Sequence, residues 1–286
     1  MADPCTNLEN ELDALEQQLT AITSSWGHDI DDVGPGGKAA VVAEHKQETK
    51  AIKAKIAAKK AQFETCIKSL PRVPLTISVS GVTCKEETSE GSASEEPYVL
   101  VCAVNLKAKM PIKLGAASAT IAIPAQRVGL TGPWDDVDAG EHHSASELPA
   151  VHRRAFWGIN GKAALISNPD DVVFLVGLME NDDASADGVR SAVDAQITGN
   201  LFGESTSNRA TLVNDLKQAF EDAMAGSRPA GLTFAFNPDD VLGHAQELRI
   251  TTLDLGWVAH KGTWSRSFDF AGDGGRYRVD IDFKKG

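Results

Sequence analysis

Closely spaced cysteines are missing from this chain. Cys5, Cys66, Cys84 and Cys102 stand far apart with no CxxC pair, which excludes a zinc ribbon and a thioredoxin-like motif. The opening Met1-Ala2-Asp3-Pro4-Cys5 has neither a basic n-region nor an apolar h-region, so no Sec-type signal peptide is expected. Long apolar runs are also missing: the longest, Val172 to Met179, is far too short to span a bilayer. These absences make the cytoplasm the default expectation and leave signal-less export open. No GxSxG elbow, P-loop or dinucleotide fingerprint occurs, and Gly272-Asp273-Gly274-Gly275 sits between two strand-like runs instead of before a helix. With two Tyr and five Trp, a carbohydrate-stacking groove is disfavoured, and Trp134, Trp157, Trp257 and Trp264 are expected in the core or at sheet edges.

What is present is a 286-residue chain with 42% hydrophobic residues, ordinary for a folded protein. Its net charge of −12 repels phosphate backbones, so nucleic acid is not expected as a partner. Cations and basic surfaces fit better.

Residues 1 to 32 hold eight carboxylates and no Lys or Arg. Within them Cys5, Leu8, Leu12, Leu15, Leu19, Ile22 and Trp26 alternate spacings of three and four, a heptad seam. Asp3-Pro4 supplies a helix start, and Gly34-Pro35-Gly36-Gly37 a break. A second helix carries Val42, Ile52, Ile56, Phe63, Cys66 and Leu70 on one stripe, with nine Lys or Arg against three Glu over residues 38 to 72. Lys59 interrupts the stripe, its stem able to cover apolar surface. Opposite charges favour antiparallel pairing of the two helices and disfavour pairing of like with like. Residues 1 to 72 are therefore read as a coiled-coil-like antiparallel hairpin. Cys5 and Cys66 fall near one end of it, cross-linked in an oxidising compartment and reduced in the cytoplasm. As a docking arm it would present Leu8, Leu12, Leu15, Leu19, Ile22, Ile52, Ile56 and Phe63.

From residue 75 the period changes to two. Strands are expected at Leu75 to Val82, Tyr98 to Val104, Ala119 to Ile123, Ala163 to Ser167 and Val172 to Met179. Gly231 to Phe236, Glu247 to Leu253, Gly262 to Phe270 and Arg276 to Phe283 complete the set. Short strands between Gly, Pro, Asn and Asp turns point to a β-sandwich over residues 73 to 286. Asp187 to Ile197 and Asn208 to Ala225 read as helices, a helical insertion at about residues 184 to 229. Asn168-Pro-Asp-Asp-Val172 recurs as Asn237-Pro-Asp-Asp-Val241, a favoured turn used twice.

Five connecting regions are acidic: Glu86 to Glu96, Asp135 to Glu141, Glu180 to Asp183, Asp239-Asp240, and Asp273. Loops at one end of a sandwich converge, and Ca²⁺ accepts about six to eight oxygens in irregular geometry. Ser94-Glu95-Glu96-Pro97-Tyr98-Val99 resembles the SDPYV element of C2 domains. Leu178-Met179-Glu180-Asn181-Asp182-Asp183 resembles their V-x-D-x-D loop, and Asp239-Asp240-Val241-Leu242-Gly243 their DDFIG. The resemblance implies a C2-like sandwich in which Glu87, Glu96, Glu180, Asp182, Asp183, Asp239 and Asp240 hold calcium and bridge to a protein partner or an anionic surface. The chain departs from the pattern where Glu96 and Glu180 replace Asp, and where the helical insertion splits the third loop.

The fold class is thus α+β: an antiparallel helical hairpin plus a mainly antiparallel, C2-like β-sandwich with a helical insertion. The expected function is non-enzymatic binding or interaction through the acidic loops, with the hairpin as docking arm. Two alternatives are a structural or delivered (effector- or toxin-like) component of a bacterial assembly, and a hydrolase with its site around Asp135 to His143. His142-His143 with Glu141, and His152 further on, match no metalloprotease spacing.

Overall fold

A computed structural model describes residues 3–31, 34, 36–87, 95–113, 120–158, 162–181, 185–203, 208–226, 241–272 and 274–286. The chain divides into two compact units, 1–71 and 72–286.

Among the described residues the first unit has two helices, α1 (Thr6–Asp31) and α2 (Lys38–Ser69). Their opposite charges meet side by side, Lys59 with Glu11 at 2.5 Å and Lys60 with Glu16 at 2.9 Å. Lys59, which interrupts the apolar stripe, thus takes an acidic partner on the facing helix. Cys5, Leu12, Ile52, Ile56, Phe63 and Ile67 are buried, whereas Leu8, Leu15, Leu19 and Ile22 are only half-buried. Two helices cannot surround a seam on all sides, so part of it stays wet. Trp26 stacks on His45 with ring centroids 6.1 Å apart. At the opposite end Cys5 and Cys66 form a disulfide across Cα atoms 5.8 Å apart, the cross-linked one of the two states left open by the sequence.

Among the described residues the second unit contains two four-stranded antiparallel sheets. One runs β4 (His142–Ser144), β1 (Leu75–Glu86), β8 (Gly275–Lys285), β7 (Thr263–Gly272). The other runs β3 (Thr120–Thr131), β2 (Pro97–Lys113), β5 (Val172–Glu180), β6 (Gln246–Glu247). Between the sheets lies one core, which takes Val99, Val101, Phe174, Val176 and Leu178 from the second sheet and Ile77, Val79, Val279, Ile281 and Phe283 from the first. The alternate residues Tyr98, Leu100, Cys102, Val173 and Leu175 point the other way, into a second core under the helices α3 (Ala186–Gly203) and α4 (Arg209–Gly226). Strands β2 and β5 are therefore buried on both faces, which is why Val172 to Met179 reads as an unbroken apolar run. Gly177 permits this closeness: a Cβ there would meet Met224 and Phe220 at 2.6 Å. The helical insertion thus covers a sheet face, making the unit three layers deep.

Several expected strands differ. Ala163 to Ser167 contributes only a single bridge, Leu75 to Ala164. Glu247 to Leu253 is a strand for its first residue alone and then turns into α5 (Thr252–Lys261), started by a reciprocal Thr251–Asp254 capping box and ended by Gly262 at φ +81°. Ala119 to Ile123 extends on through Pro124 to Thr131, since a proline is tolerated on an edge strand. Gly231 to Phe236 lies outside the described residues. Among the described residues no helix is long and apolar enough to cross a membrane.

Candidate functional site

One end of the sandwich gathers the acid. There β1 ends at Glu86, β2 begins at Pro97, β5 ends at Glu180, and the segment from Gly132 to Glu141 folds over them. Backbone bonds hold that segment down: Trp134 N–H donates to Pro97 O, Val137 N–H to Glu95 O and Gly140 N–H to Cys84 O. The cis peptide Gly132–Pro133 lies where it leaves β3.

The segment brings its carboxylates against those of the β1 end. Ala139 N–H donates to Glu87 Oε1 at 2.6 Å. Local desolvation, then the charges of Asp136, Glu141 and Glu87, push the Asp138 carboxyl above its ordinary value. Two sequence-distant acidic regions thus crowd one rim.

Strand alternation divides the other candidates. Glu180 pairs with Pro97 in register and points into the sandwich, buried to 2% exposure. Glu96 projects toward the opposite face, where Asn181 Nδ2 donates to its Oε2 at 2.8 Å. A period of two sends Glu96 and Glu180 to different sides of the sheet. Glu95, not among the expected ligands, is the residue that joins Glu180 inside. It is 4% exposed and accepts a hydrogen bond from Tyr277 Oη at 3.2 Å. Cys84 stands opposite Tyr277 on the neighbouring strand. Burial, then Cys84, Glu95 and Glu180, raise the Tyr277 phenol, and burial also raises the Cys84 thiol. The end of the inner core is therefore a protonated phenol and thiol facing carboxylates. Glu95 was legible in principle, since it keeps step with Val99 and Val101; nothing local marks Tyr277.

Asp182, Asp183, Asp239 and Asp240 lie outside the described residues. Among the described residues no three His, Cys, Asp or Glu side chains are placed to hold a metal ion together.

The rim continues into a cleft of about 420 Å³ lined by Trp134, Asp135, His143, Glu147 and His152 among others. His143 sits on β4, a short strand where the sequence reads as loop. Its Nε2 meets Glu141 at 3.2 Å and its Nδ1 meets Glu147 at 3.1 Å. Partial burial opposes the charged imidazole, but the two carboxylates outweigh it and raise the His143 pKa. The bond to His143 in turn lowers Glu141, while Ser144 N–H leads in lowering Glu147. Both ring nitrogens of His143 are thus engaged by carboxylates. His142 is spent on Thr83 at 2.9 Å, and His152 Nδ1 donates to Gly132 O at 3.0 Å.

No family model matches this chain, and no curated protein matches it. Two solved structures are similar to it. One is of CC2D1B, described as coordinating ESRCT-III activity during the mitotic reformation of the nuclear envelope: 10% identity, 98% of this chain and 89% of that one covered, TM-score 0.24. The other is a C2 domain of plant Extended Synaptotagmin 1: 7% identity, 76% of this chain and 98% of that one, TM-score 0.25. The resemblance to C2 domains is weak at these scores and carries no argument about activity or partners.

Proposed function

We propose that this is a binding protein whose acidic sandwich end engages a cationic ligand. The observation that supports the reading is the fold-back of the Asp135–Glu141 segment onto the end of β1, where Ala139 N–H donates to Glu87 Oε1 at 2.6 Å and brings Asp136, Asp138 and Glu141 near it. Like charges held together by the fold are relieved by a cation. Calcium is the ion that pooled loop oxygens suit, and its cage would draw on Glu87 with Asp182, Asp183, Asp239 and Asp240. The bound ion would then bridge to a protein partner or an anionic surface. The hairpin serves as docking arm through its half-wet residues Leu8, Leu15, Leu19 and Ile22, beside a groove of about 500 Å³ lined by Ala14, Leu15 and Ala58. An oxidising compartment suits the Cys5–Cys66 bridge.

Thermal melts with millimolar Ca²⁺ and with chelator test the ion. A native-state ligand at about 100 times its Kd adds about 2.7 kcal/mol of stability. The paired variant Glu87→Gln/Asp138→Asn is expected to melt higher without ligand and to lose the calcium response. If neither Ca²⁺ nor a polylysine probe shifts the melt, the cationic-ligand reading fails.

A further inference from the structure

Arginine in an acidic chain is expected to be taken up by carboxylates, and in the sandwich unit much of it is. Arg209 bonds Glu247 at 2.8 Å, Arg276 bonds Glu86 at 3.0 Å and Arg278 bonds Asp269 at 3.2 Å. Arg127 and Arg154 break that pattern. Among the described residues neither side chain makes a hydrogen bond or an ion pair.

Three elements bring these arginines together. Arg127 is half-buried on β3, an edge strand, opposite Ala103. Arg154 is exposed just beyond the short turn Ala150–His152. That turn is pinned to the end of β3 by Gly132 N–H to His152 O at 3.2 Å and by the bridge of Thr131 with Arg153. Arg190 lies on α3 beside its buried stripe of Val189, Val193 and Ile197. Its Nε is held by Asp187 at 2.9 Å. All three arginines line one cleft of about 490 Å³, within the ~300–1,000 Å³ of small-molecule sites. They also feel one another: burial, then Arg154 and Arg190, press the Arg127 guanidinium below its ordinary value.

Asp187 and Asp194 also line the cleft, but neither is paired with Arg127 or Arg154. A half-buried guanidinium without a paired counter-charge is costly, and two like charges beside it add to the cost. The arrangement becomes favourable when an anion sits among the forks, each able to donate two parallel N–H bonds. We propose that this cleft binds a soluble phosphomonoester, its phosphate dianion held by Arg127 and Arg154 with Arg190 alongside. Phosphate suits the site better than a carboxylate because its three terminal oxygens can answer more than one fork. The cleft is larger than the anion alone, and Met110, Leu130 and Val151 offer apolar surface to the organic part. Val151 is 59% exposed, a large apolar side chain left in water at this site. The site is separate from the acidic rim in charge and in ligand, so either can fail without the other.

Calorimetric titration of the whole protein at low salt tests this, with inorganic phosphate and phenyl phosphate as probes. Both are expected to bind, phenyl phosphate more tightly, and affinity should fall as salt rises. Charge-assisted hydrogen bonds are worth about 1.5–3 kcal/mol, so Arg127→Gln and Arg154→Gln should each weaken binding about ten-fold or more. Arg154 is exposed, so its variant keeps the fold even if that of Arg127 does not. Asp187→Asn frees Arg190 from its carboxylate and should tighten binding. Vesicles bearing phosphoinositides separate the sources: binding to vesicles with none to phenyl phosphate would overturn the soluble-ligand assignment. So would no heat with either probe at millimolar concentration, or equal affinity in the parent and the Arg154 variant.

Discussion

The hairpin and the sandwich unit solve the problem of stability in opposite ways. The hairpin has one narrow seam, and of the seven heptad residues from Cys5 to Trp26 only Cys5 and Leu12 are buried. It adds a covalent link and cross-helix ion pairs. The sandwich has two cores sharing one sheet, so β2 and β5 are buried on both faces. A thin element relies on restricting its unfolded state, whereas a thick one relies on excluding water. Breaking each in its own currency separates them.

The largest effect is expected at the staple. Closing a loop across a separation of 61 residues restricts the unfolded chain by about 4 kcal/mol in the chain-entropy model. Cys5→Ser, or reduction, should therefore lower the helical melt by that order. The near-ultraviolet signal of the stacked Trp257–Trp264 pair, ring centroids 5.3 Å apart, should melt where it did before. Equal movement of both signals would contradict the division of labour.

Next comes the core. Leu100 is fully buried beneath the helices, so Leu100→Ala should cost about 3 kcal/mol in urea unfolding. Leu15, half-buried on the seam, should cost less than about 1 kcal/mol when cut to Ala. Comparable losses at the two sites would show that the hairpin seam is better covered than its exposure indicates.

This contrast also explains what could be read ahead of the structure. The hairpin was legible because a helix repeats its buried face every three or four residues, so Leu8 to Ile22 announce it. The run at Val172 to Met179 announced a strand, but not that both faces are covered, since that depends on α3 and α4 arriving. Pro124 hid the length of β3 because edge position, which excuses a proline, is a tertiary property. α5 was hidden by its length: Thr251 and Asp254 mark a cap, yet Leu248, Ile250 and Leu253 before and around it suggest strand. At the acidic end the clustering of Glu87 with Asp138 was foreseen only as convergence of loops. Glu95 bonds a tyrosine 182 residues away, a pairing without local trace.

A smaller effect tests that α5 cap. Thr251 Oγ1 accepts from Asp254 N–H at 3.2 Å, while Asp254 Oδ2 accepts from Thr251 N–H at 2.7 Å. Thr251→Ala should cost about 1 kcal/mol. Asp254 also accepts from Trp264 Nε1 at 3.0 Å, so the loss should appear in the tryptophan-pair signal and spare the hairpin.

The smallest effect is electrostatic and confined to the rim. The His143 pKa is raised above 6.5, and those of Glu141 and Glu147 are lowered below 4.5. A raised histidine contributes stability fully below its unfolded pKa and loses it as pH rises through the folded value. A lowered carboxylate contributes fully above its unfolded pKa and loses it as pH falls through the folded value. Both contributions are complete between about pH 4.5 and 6.5, so the clamp should be tightest there and loosen on either side. A proton resonance titration of the His143 ring should give a midpoint above 6.5, and Glu147→Gln should bring it down. The hairpin melt, which contains none of these groups, should not follow that titration. An unshifted His143 midpoint in the Glu147 variant would mean that the carboxylate at 3.1 Å does not hold the charged ring.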